Sequence, residues 1–113
     1  MNLTVTKEGP LAILHLPAAR LDSTNAADVK AELLVLSSEA IDVLIIDLTQ
    51  VTFCDSSGLG ALLLAERQLR ERDGGIIVVD PNGKVKTLLE IAKLAELIPV
   101  CDTVAEARTL IED

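Results

Sequence analysis

The sequence predicts an α/β fold: a mixed, mostly parallel sheet of four or five strands, with about four helices packed mainly on one face. Short runs of Ile, Val and Leu alternate with amphipathic segments of helical period, which is typical of βαβ units. Crossovers between parallel strands are right-handed, so helices that join neighbouring strands lie on the same face. A chain of 113 residues, half of them hydrophobic, fits a single core. We expect one domain over residues 1–113.

The N-terminal part of the chain predicts a β-hairpin followed by a helix. Residues 3–6 alternate apolar and polar side chains, residues 8–10 (Glu-Gly-Pro) form a turn, and residues 11–16 are largely apolar. Pro17 ends this hairpin. Residues 22–24 (Asp-Ser-Thr) then offer N-cap side chains to a helix. One face of that helix is apolar and carries Ala26, Val29, Leu33 and Leu36.

Two strongly apolar strands frame a second helix. Residues 43–46 (Val-Leu-Ile-Ile) and 76–79 (Ile-Ile-Val-Val) are typical of strands in the middle of a sheet. The helix between them has an apolar face and a charged face, and we expect the charged face to meet solvent. The apolar face carries Leu59, Leu62, Leu63 and Leu69, and the charged face carries Glu66, Arg67 and Arg70. Residues 73–75 (Asp-Gly-Gly) end the helix.

The C-terminal part predicts two more helices around a short strand. Residues 80–83 (Asp-Pro-Asn-Gly) form a turn, residues 98–101 form the last strand, and Thr103 caps the last helix. The apolar positions of the third helix are Val85, Leu88, Leu89 and Ala92. Those of the last helix are Val104, Ala107, Leu110 and Ile111.

The composition argues against several classes of function. The formal net charge is −8, which opposes binding to nucleic acids and to anionic membranes. Phe53 is the only aromatic residue, which argues against base-stacking platforms for single-stranded nucleic acid. No apolar run approaches the roughly 20 residues that span a bilayer, and the first residues lack a signal-peptide profile. Cys54 and Cys101 lie far apart, which predicts reduced thiols in a cytoplasmic protein. We expect its partners to be proteins.

Enzyme motifs are incomplete in this sequence. A hydrolase nucleophile elbow needs Gly-x-Ser-x-Gly, but Cys54 stands two residues before Ser56. The only histidine, His15, lies in a predicted strand, so a catalytic base is lacking. One histidine and two scattered cysteines also cannot supply a zinc site. Asp47, at the end of a strand, is expected to orient a loop rather than to do chemistry.

Nucleotide-binding motifs fail as well. A dinucleotide fingerprint that starts with Gly58 and Gly60 has Leu63 where its third glycine should be. The pair Gly83-Lys84 is followed by a valine, which has no hydroxyl for magnesium. We therefore expect no catalysis, no cofactor and no metal.

The most informative segment is residues 53–60, Phe-Cys-Asp-Ser-Ser-Gly-Leu-Gly. It enters the second predicted helix, so Asp55 and Ser56 lie where backbone N–H groups lack partners. Ordinary helix capping is one interpretation of these side chains. Gly58 and Gly60, however, each cost a helix about 1 kcal/mol relative to Ala, which favours a close approach of another group. A phosphate formed on a serine here would gain the anion site of the helix N-terminus.

In this segment the sequence resembles the STAS domain family, named after sulphate transporters and anti-sigma factor antagonists. The string from Asp55 to Gly60 is the most specific part of the resemblance. The strand at 43–47, the two glycines before the next strand and residues 20–22 (Arg-Leu-Asp) match as well. Ala19 and Arg20 depart from the family, which often has glycine and a carboxylate there.

The resemblance to the antagonist branch implies a regulated binding module. It implies that Ser56 is phosphorylated by a serine kinase that is also the anti-sigma factor, and that a metal-dependent serine phosphatase restores the hydroxyl. Unmodified antagonist binds the kinase and so releases a sigma factor, whereas the phosphorylated form does not bind. The implied partner surface consists of Asp22, Asp55, Ser56, Ser57, Gly58 and Gly60.

One alternative stays open. Other STAS relatives are scaffold subunits of larger signalling or lipid-transport complexes, and in such a role Ser56 would stay unmodified. Whether Ser57 is also a phosphorylation site is equally open. We expect an isolated copy of the chain to be a monomer.

Overall fold

A computed structural model describes residues 3–112. Within this range the chain forms seven strands and four helices. The strands are β1 (Thr4–Glu8), β2 (Leu11–His15), β3 (Arg20–Leu21), β4 (Val43–Asp47), β5 (Phe53–Cys54), β6 (Gly75–Val79) and β7 (Val100–Cys101). The helices are α1 (Ala26–Ser37), α2 (Ser56–Arg70), α3 (Lys84–Ile91) and α4 (Val104–Ile111).

Five strands form the main sheet, in the order β1-β2-β4-β6-β7. The β1–β2 hairpin is antiparallel, and its tight turn contains Gly9 at a φ of 62°. The other neighbours are parallel, with Ile13 opposite Ile45 and Ile45 opposite Ile77. The strand β4, which is apolar except for Asp47 at its end, lies in the middle, where both of its faces are covered. The expected mixed, mostly parallel sheet is confirmed.

The helices divide unequally between the two faces of the sheet. Alternate strand residues such as Leu14, Leu44 and Ile46 face the large core, which also holds residues of α1, α2 and α3. The intervening residues, Ile13 and Ile45 among them, face a smaller cluster that includes α4. Three helices therefore lie on one face and one on the other, as expected for helices packed mainly on one face.

A second, two-stranded sheet was absent from the sequence-based prediction. The short strands β3 and β5 pair in parallel, with Leu21 opposite Cys54. We call this pair the β3–β5 ribbon. Because β3 leads towards α1 and β5 leads directly into α2, the ribbon fixes the starts of both helices beside each other. Asp55 N donates to Leu21 O across it at 3.3 Å.

The expected solvent exposure of Glu66 is wrong. Its side chain is buried, and its Oε2 lies 3.5 Å from Nε of the exposed Arg70. Since α2 packs against α1 on one flank and against α3 on the other, a residue beside the apolar face is covered as well. None of the helices within residues 3–112 combines the length and the apolar character needed to cross a membrane.

Candidate functional site

Asp55 is the N-cap of α2. Its backbone is extended, with φ −113° and ψ −174°, and its carboxylate accepts from the backbone N–H groups of Ser57 and Gly58. The distances from Oδ1 to these nitrogens are 2.9 Å and 3.1 Å. The capping interpretation therefore applies to Asp55, which fixes the first turn of the helix.

The two serines that follow are not part of this cap. Ser56 is the first residue of α2, and both Ser56 and Ser57 are exposed. Within residues 3–112, neither hydroxyl makes a hydrogen bond. A helix start that is already capped thus presents two free hydroxyls to solvent.

The two glycines of the motif differ in their surroundings. Gly58 is buried against the β3–β5 ribbon, and a Cβ added there would lie 2.5 Å from Leu21 O. The close approach predicted for this glycine therefore exists, but the approaching group belongs to the chain itself. Gly60 is exposed, with no atom within 4 Å of an added Cβ. Of the two, only Gly60 leaves open space on the surface.

Asp22 is buried before α1 and is surrounded by donors of its own chain. Its carboxylate accepts from Thr24 N at 3.0 Å and from Arg20 Nε at 2.7 Å. Hydrogen bonds from Thr24 and then from Arg20 lower the pKa of this carboxyl to about 2. The side chain is only 6% exposed, so Asp22 shapes the loop rather than presenting its carboxylate at the surface.

A groove lies between the first turns of α1 and α2, with a volume of about 530 Å³. We call it the serine groove. It is lined by Ser23, Ala26, Ala27, Lys30, Ser56, Ser57, Gly60, Ala61 and Leu64. Sequence reasoning named the α2 side of this groove but missed Ser23 and Lys30. The positions of Ser23 and Lys30 in the sequence do not indicate that they line the groove, because only the packing of α1 against α2 brings them near the two serines.

The family model for the STAS domain matches residues 2–107. The chain belongs to the STAS domain family. An anti-sigma-B factor antagonist from Listeria monocytogenes is 34% identical over 83 residues, which is 74% of this chain and 73% of that protein. These comparisons agree with the resemblance seen at residues 55–60.

Solved STAS structures match over nearly the whole chain. An anti-sigma factor antagonist from Mycobacterium paratuberculosis superposes with a TM-score of 0.87 at 20% identity, over 99% of this chain and 94% of the other. The Bacillus cell fate determinant SpoIIAA in its phosphorylated form gives a TM-score of 0.76 at 19% identity, over 98% and 100%. At these identities the superpositions establish the fold.

The STAS domain also exposes its one aromatic side chain beside the motif. Phe53 lies in the β3–β5 ribbon and is 41% exposed, and the Arg20 guanidinium lies 4.2 Å from its ring centroid. A cation over an aromatic face stabilises both side chains. Sequence reasoning used Phe53 only as a sign of low aromatic content.

The thiol next to the motif is not a nucleophile. Burial, followed by the charge of Asp55, raises the pKa of Cys54 to about 12. A thiol of this pKa stays protonated at neutral pH, and only the thiolate is reactive. Over the described residues there is no group of three His, Cys, Asp or Glu side chains placed to hold a metal.

His15 and Asp47 lie outside the serine groove. His15 Nδ1 is 2.8 Å from Asp47 Oδ2, and Asp47 Oδ1 accepts from Thr49 N at 3.0 Å. Hydrogen bonds from Thr49 and His15 lower the pKa of Asp47 although its burial acts in the opposite direction. The carboxylate orders the turn after β4, which is the role expected from the sequence.

Proposed function

We propose that this STAS domain is an anti-sigma factor antagonist. In its unmodified form it binds an anti-sigma factor that is also a serine kinase, and a sigma factor is released; phosphorylation of Ser56 prevents that binding. The observation that carries the proposal is the exposed Ser56 hydroxyl at the rim of the serine groove, which makes no hydrogen bond to any of residues 3–112. The names of the relatives support the choice of partner.

The proposed modification is a phosphoryl transfer from ATP. Ser56 Oγ attacks the γ-phosphorus, a new O–P bond forms, the bond to the β,γ-bridging oxygen breaks, and ADP leaves as the hydroxyl loses its proton. In the reverse direction a metal-dependent serine phosphatase delivers water to the phosphorus, which releases inorganic phosphate and restores the hydroxyl. The domain itself performs neither reaction.

Electrostatics explains why the phosphate would end binding. It adds about −1.5 to −2 charges, beside the Asp55 carboxylate in a chain of net charge −8. A partner that covers Ser56 would have to remove this charge from water, which costs several kcal/mol per ion, and pairing with a cation offsets that cost only when the geometry is excellent. A loss of roughly 3–4 kcal/mol weakens binding by a factor of hundreds. Since Asp55 already caps α2, the switch needs no change in shape.

The kinase reaction gives the first test. The domain and its Ser56→Ala and Ser57→Ala variants are incubated with ATP and each histidine-kinase-like ATPase of the source organism that acts as an anti-sigma factor. Intact-mass spectrometry should show one added phosphate on the parent and on Ser57→Ala, and none on Ser56→Ala. Phosphorylation that persists in Ser56→Ala and disappears in Ser57→Ala would show that Ser57 is the modified residue, and would contradict the proposal.

The scaffold alternative predicts a different result. A STAS subunit of a permanent complex would co-purify with that complex in unmodified form, and none of the kinases would phosphorylate it. Anti-sigma factor antagonism would then be rejected for this chain.

A further inference from the structure

Among residues 3–112, Lys30 is the only charged side chain that lines the serine groove. It is exposed, and it forms no ion pair with any residue in the range 3–112. Nearby Arg20, in contrast, is already paired with Asp22. The groove beside the motif therefore keeps one free positive charge.

The topology points this charge towards Ser56. α1 leads into β4 and α2 leads into the parallel β6, so both helices run from the same edge of the sheet, and the β3–β5 ribbon sets their starts side by side. Side chains on a helix lean towards its N-terminus. Lys30 lies one turn after Ala26 and lines the groove together with both serines, so its long, flexible side chain can reach back towards them.

The groove also has room for a phosphate. Its walls next to the serines consist of small residues, and Gly60 contributes open space at a cost of about 1 kcal/mol in helix stability. No packing contact requires that glycine, in contrast to Gly58. The other charges near the start of α2 are the carboxylates of Asp55 and Asp22, which repel an anion, and the Arg20 guanidinium, which is already paired with Asp22. Lys30 is the group that would offset them.

We infer that Lys30 is the counter-ion of the Ser56 phosphate. This rests on the proposed function, because it assigns a partner to the phosphorylated state of the same site. Lys30 favours the dianionic form of the phosphate and holds it along the serine groove. The blocked state then carries its full charge at neutral pH, where a phosphomonoester with a second pKa near 6 would otherwise be partly monoanionic.

Phosphorus NMR tests this without any kinase. Phosphoserine is placed at position 56 during translation, and the second pKa of the phosphate is measured by ³¹P titration at low salt. The same titration is run on Lys30→Gln, Lys30→Arg and Lys7→Gln. Lys7 is a control for net charge, because it pairs with Glu39, beyond the far end of α1 and about 20 Å from Ala26 along that helix.

The expected result is a phosphate pKa about half a unit higher in Lys30→Gln than in the parent, as for one charge a few ångströms away in water. In Lys30→Arg and Lys7→Gln the phosphate pKa should equal that of the parent. Equal pKa values in Lys30→Gln and the parent would overturn the inference, as would an equal rise in Lys7→Gln. Neither outcome bears on whether a kinase uses Ser56, so the failure of the two proposals can be told apart.

Discussion

At the scale of single residues, Gly58 and Gly60 have different reasons to be glycine. Gly58→Ala would press a Cβ against the Leu21 carbonyl, which is backbone and cannot rotate away. We expect the free energy of unfolding to fall by about 1–3 kcal/mol, as in other overpacked sites. Gly60→Ala, with nothing near its Cβ, should instead gain up to about 1 kcal/mol of helix propensity. Urea denaturation of the two variants measures both changes.

The two glycine variants are matched, since each adds one methyl group to the same helix. Equal stability of Gly58→Ala and Gly60→Ala would contradict the packing of α2 on the β3–β5 ribbon. The sequence placed both glycines in the motif correctly. It could not show that Gly58 is closely packed and Gly60 is not, because only tertiary packing brings Leu21 next to Gly58 and leaves the space beside Gly60 open.

The Asp22 carboxyl makes a prediction about pH. Its pKa in the folded protein, about 2, is below its ordinary value of 3.8, so the folded state favours the ionised form. The resulting stability is fully present above pH 4 and disappears as the pH falls from 4 towards 2. Asp22→Asn should therefore be less stable than the parent at pH 7, and this difference should shrink in acid.

Urea midpoints measured between pH 7 and pH 2 test this expectation. Glu90→Gln, which removes an exposed carboxylate from α3, controls for the loss of one negative charge. A difference between Asp22→Asn and the parent that is the same at every pH would show that the hydrogen bonds from Arg20 and Thr24 do not favour the ionised form. The sequence predicted Asp22 as a partner contact, and its burial among these donors argues for a role in positioning the loop.

At the scale of elements, helix capping and the proposed phosphorylation belong to different residues at the start of α2, Asp55 and Ser56. Asp55→Ala removes the acceptor for two backbone N–H groups, and we expect a loss of about 0.5–2 kcal/mol in unfolding free energy. Ser56→Ala removes a hydroxyl without hydrogen bonds in the described chain and should change stability by less than about 0.5 kcal/mol. Thermal or urea unfolding compares the two directly. A larger loss for Ser56→Ala would mean that the serine has a structural role.

Elements with a long, regular pattern were predictable, and short ones were not. The strands β4 and β6 were recognisable because burial on both faces of the sheet requires a continuous apolar run. The helix α2 was recognisable because burial of one face gives apolar residues a helical period. The β3–β5 ribbon has two residues in each strand, too few to show a period. The last strand was expected over 98–101 but pairs only at Val100–Cys101. The ribbon matters most for the site, since it aligns α1 with α2.

At the scale of the whole molecule, a buried central sheet supports α2, whose first residues face solvent. The central strand β4 has no solvent exposure at Leu44, Ile45 or Ile46, and the chain has a radius of gyration of 12.5 Å. A phosphate at the rim of such a scaffold changes charge rather than shape. The sequence predicted this architecture and the motif, but not the serine groove, because a groove depends on how two helices pack together.

In the function proposed for this domain, an added charge on Ser56 ends partner binding. The most direct measurement is the Kd of the anti-sigma factor kinase for the unmodified domain and for the domain with phosphoserine at position 56, by titration calorimetry. We expect binding to be weaker by a factor of hundreds in the phosphorylated form, and Ser56→Ala to bind as tightly as the unmodified domain. Equal Kd values for the phosphorylated and unmodified domains would contradict it.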